Sequence, residues 1–392
     1  MLKQAYNRES IAKVINRQDV KKWKLWNDKN EQEIKTEQLA QTLREKELKV
    51  APFYSSKHRG ATTYQVSSPE DLFSIRLLDK YLRRIYKVKQ SDRSQIIKQI
   101  KTLLRDNSNL SVLRIDIKKC YESIPRLKLL KKVETDMVLS PQSRKLLKSI
   151  FDQCERQEIE GLPRGLSVSP TLSELYLEDL DDKIRKNKAV IYSQRYVDDY
   201  LIIYDSYKKD KLNYFINKEV EEIDLRINEG SDKFINQSVK DIEFTFLGYL
   251  FKVNHRNNNE NKVSVTISKD KLKKIKLKII LALLDFNKNR NFSLLSQRIN
   301  YLSTVRAARK HENGVLLSGL RYNYRHVTDE FECLKGIDGF YLKLISKSRF
   351  NFSRDEYENL KKKSFYGHTS KKIKSEFTNK KVIDITRIWK DV

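Results

Sequence analysis

The stretch SQRYVDDYLIIYD, residues 193–205, places two adjacent acids, Asp198 and Asp199, between two apolar runs. The alternation of the flanking residues predicts a β-hairpin with the acids at its tip. An acid pair in a turn is often only a turn signal, because aspartate favours turns. Adjacent buried carboxylates, however, repel each other and lose hydration unless positive charge lies between them. The pair is therefore a candidate site for divalent cations.

A third acid has the same setting much earlier in the chain. Asp116, in VLRIDIKKCYESI (residues 112–124), follows a short apolar run that predicts a buried strand. A strand and a hairpin that end at one edge of a sheet can bring three carboxylates together. Such a set can hold two Mg²⁺ ions, with Mn²⁺ as a substitute, for in-line phosphoryl transfer. Oxygen ligands of this kind disfavour softer metals.

Charge points to a polyanionic partner. The 392 residues include 80 Lys and Arg against 52 Asp and Glu, a formal net charge of +28 with a pI near 9.7. This balance favours nucleic acid as the partner, although a ribosome-associated or merely soluble basic protein would have a similar composition. The 20 tyrosines and 16 phenylalanines could stack on bases, or could simply be core residues.

Cysteine usage and hydropathy indicate the compartment. Cys120, Cys154 and Cys333 lie far apart without metal-ligand spacing, which argues against a zinc site or a disulfide framework and fits a reducing cytosol. No apolar run resembles a signal peptide or is long enough to span a bilayer. We therefore expect a soluble, cytoplasmic protein without a membrane partner.

The periodicity of apolar residues predicts mixed helices and strands. Helical spacing covers much of residues 1–50, and residues 52–60, PFYSSKHRG, are expected to form a loop. A helix that follows GLPRGLSVSP should begin near Pro170, with Ser169 as its cap. From about residue 268 onward the chain is predicted to be mostly helical, including residues 294–311.

Four segments in order resemble the palm motifs of reverse transcriptases. They are LRIDIKKCYESI, GLPRGLSVSPTLSELYLEDLD, YVDD and FTFLGYLF. The likeness covers about residues 90–250 and is strongest to bacterial enzymes of the retron, group II intron and defence-associated (abortive-infection) classes. It implies an α+β right-hand polymerase with fingers, a palm built on an antiparallel sheet, and a helical thumb. The implied divisions are an N-terminal helical arm (1–50), fingers (51–110), palm (111–267, with finger-like helices 125–160), and thumb with a basic C-terminal extension (268–392).

The resemblance assigns a role to each matching position. Asp116, Asp198 and Asp199 would be the catalytic metal ligands, and Tyr121 the steric gate that selects deoxynucleotides. Gly161 and Gly165 would let the backbone approach a base pair closely, next to a template- or nucleotide-binding Arg164, where relatives often carry glutamine. Lys233 is the candidate general acid. The candidate primer grip is Phe246, Leu247, Gly248 and Tyr249, and the candidates for triphosphate binding are Lys57, Arg59, Arg76 and Arg93.

The function implied is RNA-directed DNA polymerisation, in which dNTPs are added to a 3′-hydroxyl. By resemblance, the setting would be bacterial anti-phage defence with a noncoding RNA template, and the chain could form a homo-oligomer or a hetero-oligomer with another defence protein. Protein-primed or template-independent DNA synthesis by the same palm is an alternative, as is RNA synthesis. An inactive palm that serves as an RNA-binding scaffold is an alternative of another class.

The C-terminal third offers two weaker motifs. Arg321 and His326 in RYNYRH have a spacing reminiscent of a small RNase module, although a helix face with stacking tyrosines explains it equally. Lysines interleaved with Phe365, Tyr366 and Phe377 predict an RNA-binding tail or a solvated lysine run.

Overall fold

The computed structural model describes residues 3–58, 60–89, 91–230, 233–255, 260–311, 314–370, 374–375 and 377–390. Within these ranges the helices are α1 (Arg8–Ala12), α2 (Arg17–Trp23), α3 (Lys29–Glu45), α4 (Pro69–Ile85), α5 (Arg93–Leu103), α6 (Cys120–Ser123), α7 (Arg126–Asp136), α8 (Pro141–Arg156), α9 (Ser169–Lys186), α10 (Lys209–Glu222), α11 (Lys269–Asn289), α12 (Phe292–Ser303), α13 (Leu320–Asn323), α14 (Lys335–Ile345), α15 (Arg354–Lys361), α16 (Phe365–Ser370) and α17 (Asn379–Thr386).

In the described part of the chain the strands form four small sheets. They are β1 (Tyr54–His58), β2 (Ala61–Gln65), β3 (Leu110–Asp116), β4 (Val190–Tyr196), β5 (Asp199–Asp205), β6 (Ile235–Ser238), β7 (Glu243–Phe246), β8 (Tyr249–Asn254), β9 (Lys262–Ile267), β10 (Val305–His311), β11 (Gly314–Ser318) and β12 (Lys374–Ser375). None of the helices in the described ranges has both the length and the apolar content needed to cross a bilayer.

The chain divides into two compact units. Unit 1 comprises Met1–Ser91 and Ser111–Asn236, and unit 2 comprises Asp92–Leu110 and Gln237–Val392. Both units therefore consist of two chain segments each, since residues 92–110 belong with the C-terminal half.

Unit 1 is built around the sheet with strand order β4-β5-β3-β6. Every residue of β3 is buried, as are the five central residues of β5. Strands β4 and β5 are antiparallel, with Tyr196 opposite Asp199, so the connection is the two-residue turn Val197 and Asp198. This confirms the hairpin predicted from residues 193–205. Helix α9 packs on β4, and its buried stripe includes Leu172, Leu175 and Leu180, the apolar spacing seen in the sequence.

Two local predictions in unit 1 were wrong. Residues 54–58 and 61–65 form the hairpin β1–β2, with Lys57 opposite Thr62, although a loop was expected over residues 52–60. Its polar residues leave little alternation to detect, because most of its side chains face solvent. Ser169 is not the cap of α9: Val168 precedes the helix without a side-chain cap, and the fully buried Ser169 hydroxyl donates to the Pro163 carbonyl at 2.7 Å.

Unit 2 combines the antiparallel sheet β7-β8-β9 with helices and a second small sheet, β11-β10-β12. Phe244 and Phe251 stack across β7 and β8 with ring centroids 5.1 Å apart. Helix α11 packs against α12 and α14, which agrees with the predicted helical character of this region. The predicted helix over 294–311 is wrong in its second half, because α12 ends at Ser303 and the chain continues as β10. Val305 marks this change, since β-branched residues favour strands.

Candidate active site

The end of β3 and the β4–β5 turn bring the predicted acids together. Asp116 is the last residue of β3 and is only 8% exposed. The next backbone amide, that of Ile117, donates to the carbonyl of Asp198 at 3.0 Å, so the strand end and the hairpin tip are joined directly. Acids that are 82 positions apart in the sequence therefore lie at one edge of one sheet, as the sequence analysis expected.

Arg195 fastens the hairpin that carries the acid pair. Its nearly buried guanidinium forms ion pairs with Glu174 at 2.8 Å and Asp181 at 2.6 Å, both on α9. It also donates to the Val197 carbonyl at 2.8 Å, inside the turn itself. Val197 has φ +64°, a left-handed conformation that β-branched residues rarely adopt. Because several contacts hold this turn, the backbone at Asp198 is fixed before any ligand binds.

The ionised forms of Asp198 and Asp199 are destabilised by their surroundings. Burial raises the pKa of Asp198, and repulsion from Asp116 raises it further. Burial also raises the pKa of Asp199, although Arg114 opposes that shift. A buried pair of mutually repelling carboxylates is a donor set that suits a hard divalent cation. The geometry and chemistry of Asp116 and Asp198 therefore fit the predicted cation site.

Three further side chains surround the acids. The Arg114 guanidinium holds Asp199 in a two-pronged ion pair, with Nε–Oδ1 2.9 Å and Nη2–Oδ2 3.0 Å. Asn228 donates from its side chain to Asp116 Oδ2 at 3.2 Å, and Lys233 Nζ lies 3.5 Å from Asp116 Oδ1. Across the part of the chain that the structure describes, no group of three or more His, Cys, Asp or Glu side chains is arranged to hold a metal ion.

Tyr121, the predicted steric gate, is held by a charged pair. Arg164 lies over its ring, 5.0 Å from the centroid, and forms a two-pronged ion pair with Glu122 at 2.6 and 3.0 Å. Burial raises the pKa of Tyr121 to about 12, so its hydroxyl stays protonated at neutral pH. The neighbouring Cys120 is buried, 3.8 Å from the Ser173 hydroxyl, and has a pKa raised by burial to about 11, which suits a packing role.

The two glycines of GLPRG meet the protein's own backbone, where the sequence analysis expected a base pair. Gly161 has φ +54°, and a Cβ there would lie 2.2 Å from the Tyr121 carbonyl oxygen. Gly165 has φ +105°, and a Cβ would lie 2.6 Å from the Tyr64 carbonyl oxygen. Backbone hydrogen bonds from Leu162 to Tyr121 and from Tyr64 to Arg164 tie the loop at both sides. Glycine is required here so that the loop can pack against Tyr121 and β2.

The candidates for triphosphate binding separate into distinct settings. Lys57 is exposed on β1, while Arg59 lies outside the described residues. Arg76 forms an ion pair with the buried Asp19 and donates to the Val14 carbonyl, so it ties α4 to the N-terminal helices. Arg93, in unit 2, donates to the carbonyls of Leu247 and Asn323. Arg76 and Arg93 make structural contacts here, and their role in triphosphate binding stays a prediction.

The predicted primer grip is the tight turn between β7 and β8. Leu247 and Gly248 both have positive φ, at +48° and +79°. Phe246 and Tyr249 are each 1% exposed, and the Tyr249 hydroxyl donates to the Asn323 carbonyl at 3.0 Å. Arg93 also lies over the Tyr249 ring. The turn is thus supported within unit 2, because Arg93 donates to the Leu247 carbonyl and the Ser268 amide donates to the Gly248 carbonyl at 3.0 Å.

The histidine of the RYNYRH motif contacts α5. The His326 ring shares a 2.6 Å hydrogen bond with the Ser94 hydroxyl, and burial lowers its pKa.

Sequence reasoning missed Arg114, Asn228 and Glu122. Arg114 could have been found, because it lies two residues before Asp116 and strand alternation puts both side chains on one face.

Part of the chain is similar to a known protein family. Residues 72–251 match the family described as reverse transcriptase (RNA-dependent DNA polymerase). The matched residues are therefore similar to reverse transcriptase domains. The enzymes of that family are RNA-directed DNA polymerases, which are nucleotidyltransferases. The match implies a right-hand polymerase fold, in line with the mixed helices and sheets described above. The predicted resemblance is confirmed at this level, and the bacterial and defence-related subclass stays a prediction.

Several solved structures are distantly similar. The telomerase from Candida albicans in complex with a fragment of telomeric RNA has 16% identity and a TM-score of 0.35 over 80% of this chain and 53% of that chain. The equivalent complex from Candida tropicalis has 16% identity and a TM-score of 0.35, over 81% and 56%. A structure described as an RdRp complex has 10% identity and a TM-score of 0.36, over 90% and 39%. This chain spans little more than half of each telomerase chain, and these likenesses carry no argument about function. No curated protein sequence matched the chain.

Proposed function

We propose that this protein synthesises DNA on an RNA template, adding dNTPs to a primer 3′-hydroxyl. One observation carries the proposal: within the residues that match the reverse transcriptase family, two distant segments bring the buried Asp116 and the half-buried, mutually repelling Asp198 to one sheet edge. Divalent cations of the Mg²⁺ or Mn²⁺ class would neutralise those acids and supply charge stabilisation to the attacking hydroxyl and the departing pyrophosphate. Asp116 and Asp198 are the side chains proposed to hold them.

The neighbouring residues would position the nucleotide. Tyr121, supported from behind by Arg164, would exclude a ribose 2′-hydroxyl. Lys233, within 3.5 Å of Asp116, is proposed to donate a proton to the pyrophosphate as it leaves. Lys57, exposed on β1, is proposed to bind the triphosphate.

The primer and template would be held by elements outside the acid cluster. The turn at Leu247 and Gly248 is proposed as the primer grip. Helices of the basic C-terminal region would contact the duplex backbone, which the net charge of +28 favours. A noncoding RNA as template, and a role in bacterial defence, are proposed on the motif resemblance alone.

The test is dNTP incorporation by the full chain on a primed RNA template, with Mg²⁺ or Mn²⁺. We expect Asp198→Asn to lower incorporation by about three orders of magnitude or more, because the transition-state charge loses its stabilisation. Asp205→Asn is the matched control, since Asp205 ends the same strand β5 at its other end and its side chain caps the following turn. Asparagine can keep that cap.

Three results would contradict the proposal. Equal loss in both variants would show a folding defect instead of a site. A wild-type product complementary to no supplied RNA would favour template-independent or protein-primed synthesis. Tight RNA binding without turnover of any nucleotide in either metal would favour a scaffold.

A further inference from the structure

A buried ion pair distinguishes Asp199 from the other two acids. Arg114 lies on β3 two residues before Asp116, and β3 and β5 are neighbours in the sheet. Both carboxylate oxygens of Asp199 accept from the guanidinium, at 2.9 and 3.0 Å. The two side chains are 8% and 16% exposed. This fork-to-fork geometry is the strongest arrangement of an arginine and a carboxylate, and burial removes the water that would otherwise weaken it.

Asp116 and Asp198 are matched far less well. Lys233 approaches only one oxygen of Asp116, at 3.5 Å, and is 39% exposed. Asp198 forms no ion pair with any residue in the described ranges, although it is largely buried beside Asp116. The countercharge in this site is therefore distributed unevenly. Asp199 is paired through both oxygens, Asp116 through one longer contact, and Asp198 through no ion pair in the described ranges.

A carboxylate already held by an arginine is a poor metal ligand. Binding a cation to Asp199 would require Arg114 to leave its partner, or would place the guanidinium beside a divalent ion in a buried setting. Mg²⁺ needs only one or two protein carboxylates when water and substrate phosphates complete its shell. The acids without a built-in partner, Asp116 and Asp198, are enough for that.

We propose that Arg114 is an internal counter-ion that keeps Asp199 out of the metal-binding set, so that the protein alone binds one divalent cation through Asp116 and Asp198. Asp199 is then a positioning residue that locks β5 to β3 and fixes the hairpin tip. A second cation would have to arrive with ligands from the nucleotide. The inference rests on the proposed function for the purpose of the site, and it revises the expected role of Asp199.

The test is Mn²⁺ binding to the full chain without nucleotide or RNA, followed by the electron paramagnetic resonance of free Mn²⁺. We expect Asp116→Asn and Asp198→Asn each to weaken the tightest site at least about tenfold, as the loss of a ligand does. The double variant Arg114→Gln with Asp199→Asn removes both charges together. We expect its affinity to stay within about threefold of the wild type, since the net charge beside the metal is unchanged. Arg114→Gln alone frees Asp199 and should bind Mn²⁺ more tightly or bind a second ion.

Other results of the same Mn²⁺-binding experiment would refute the proposal. If the double variant loses affinity as Asp198→Asn does, Asp199 is a ligand and the proposal is wrong. If the double variant does not fold, the number of Mn²⁺ ions bound by the wild type decides. One ion that the wild type binds and Asp198→Asn does not supports the proposal, and two ions bound by the wild type overturn it. Because no nucleotide is present, this outcome is separate from DNA synthesis. If the protein is an active polymerase but the metal test fails, only this inference is refuted. If the metal test succeeds but the protein is inactive, only the proposed function is refuted.

Discussion

Replacing Gly161 with alanine should destabilise unit 1, because the added Cβ would overlap backbone atoms of Tyr121 and Glu122. The left-handed conformation, φ +54°, costs a non-glycine residue about 1–2 kcal/mol. The added Cβ would also lie 2.2 Å from the Tyr121 carbonyl oxygen and 2.5 Å from the Glu122 carbonyl carbon. These are main-chain atoms and cannot rotate away, so the hydrogen bond from Leu162 to Tyr121, 2.7 Å, must break or stretch. An unsatisfied buried group costs about 1–3 kcal/mol, and the total is then about 2–5 kcal/mol.

Gly60→Ala provides the matched control. Gly60 has φ +77°, but nothing lies within 4 Å of the position that a Cβ would take. This variant should therefore lose only the conformational part, about 1–2 kcal/mol. Both variants are compared with the wild type by urea unfolding, followed by circular dichroism, without metal. If the two free energies of unfolding agree within about 0.5 kcal/mol, the overlap with Tyr121 is not what requires glycine, and the reasoning fails.

Two further predictions concern the gate and the acid pair. Arg164→Ala removes the cation from the Tyr121 ring and should lower the preference for dCTP over CTP about two- to tenfold in single-nucleotide incorporation, with Arg164→Lys intermediate; an unchanged preference would show that Tyr121 does not depend on Arg164. Because burial and Asp116 raise the pKa of Asp198, the ionised acid destabilises the native state at any pH above that raised pKa. Asp198→Asn should therefore be more stable than the wild type at pH 7 in EDTA, by about 0.5–2 kcal/mol in urea unfolding, and the gain should vanish below the ordinary pKa of aspartate near 4. If Asp198→Asn and the wild type have the same free energy of unfolding at pH 7, this reasoning is contradicted.

Strong local signals explain what the sequence predicted. The hairpin at residues 193–205, the acid at the end of β3 and helix α9 all follow from apolar periodicity and turn chemistry, which act over a few residues. The hairpin β1–β2 was missed because its side chains are mostly polar and exposed. The end of α12 at Ser303 was missed because a strand pairing with distant residues overrode local helical spacing.

Partners that are remote in sequence explain what could not be predicted. The ion pairs of Arg76 with Asp19 and of Arg114 with Asp199 join positions that no local pattern links. A single arginine in an apolar strand reads as a surface charge until the neighbouring strand is known. The candidate acids could thus be identified from the sequence, whereas the uneven neutralisation among them could not.

The interleaving of the two units governs how the protein can be made or divided. Helix α5 buries Ile96, Ile97 and Ile100 and belongs with unit 2, whose Asn261 donates to the Asp106 carbonyl from 155 positions further along. At translation speeds of 5–20 residues per second, that asparagine leaves the ribosome roughly 8–30 s after the segment it must bind. If the chain is divided after Asn236, α5 and its isoleucines stay in the N-terminal fragment, whereas most of unit 2 lies in the C-terminal fragment. Both fragments should therefore be insoluble.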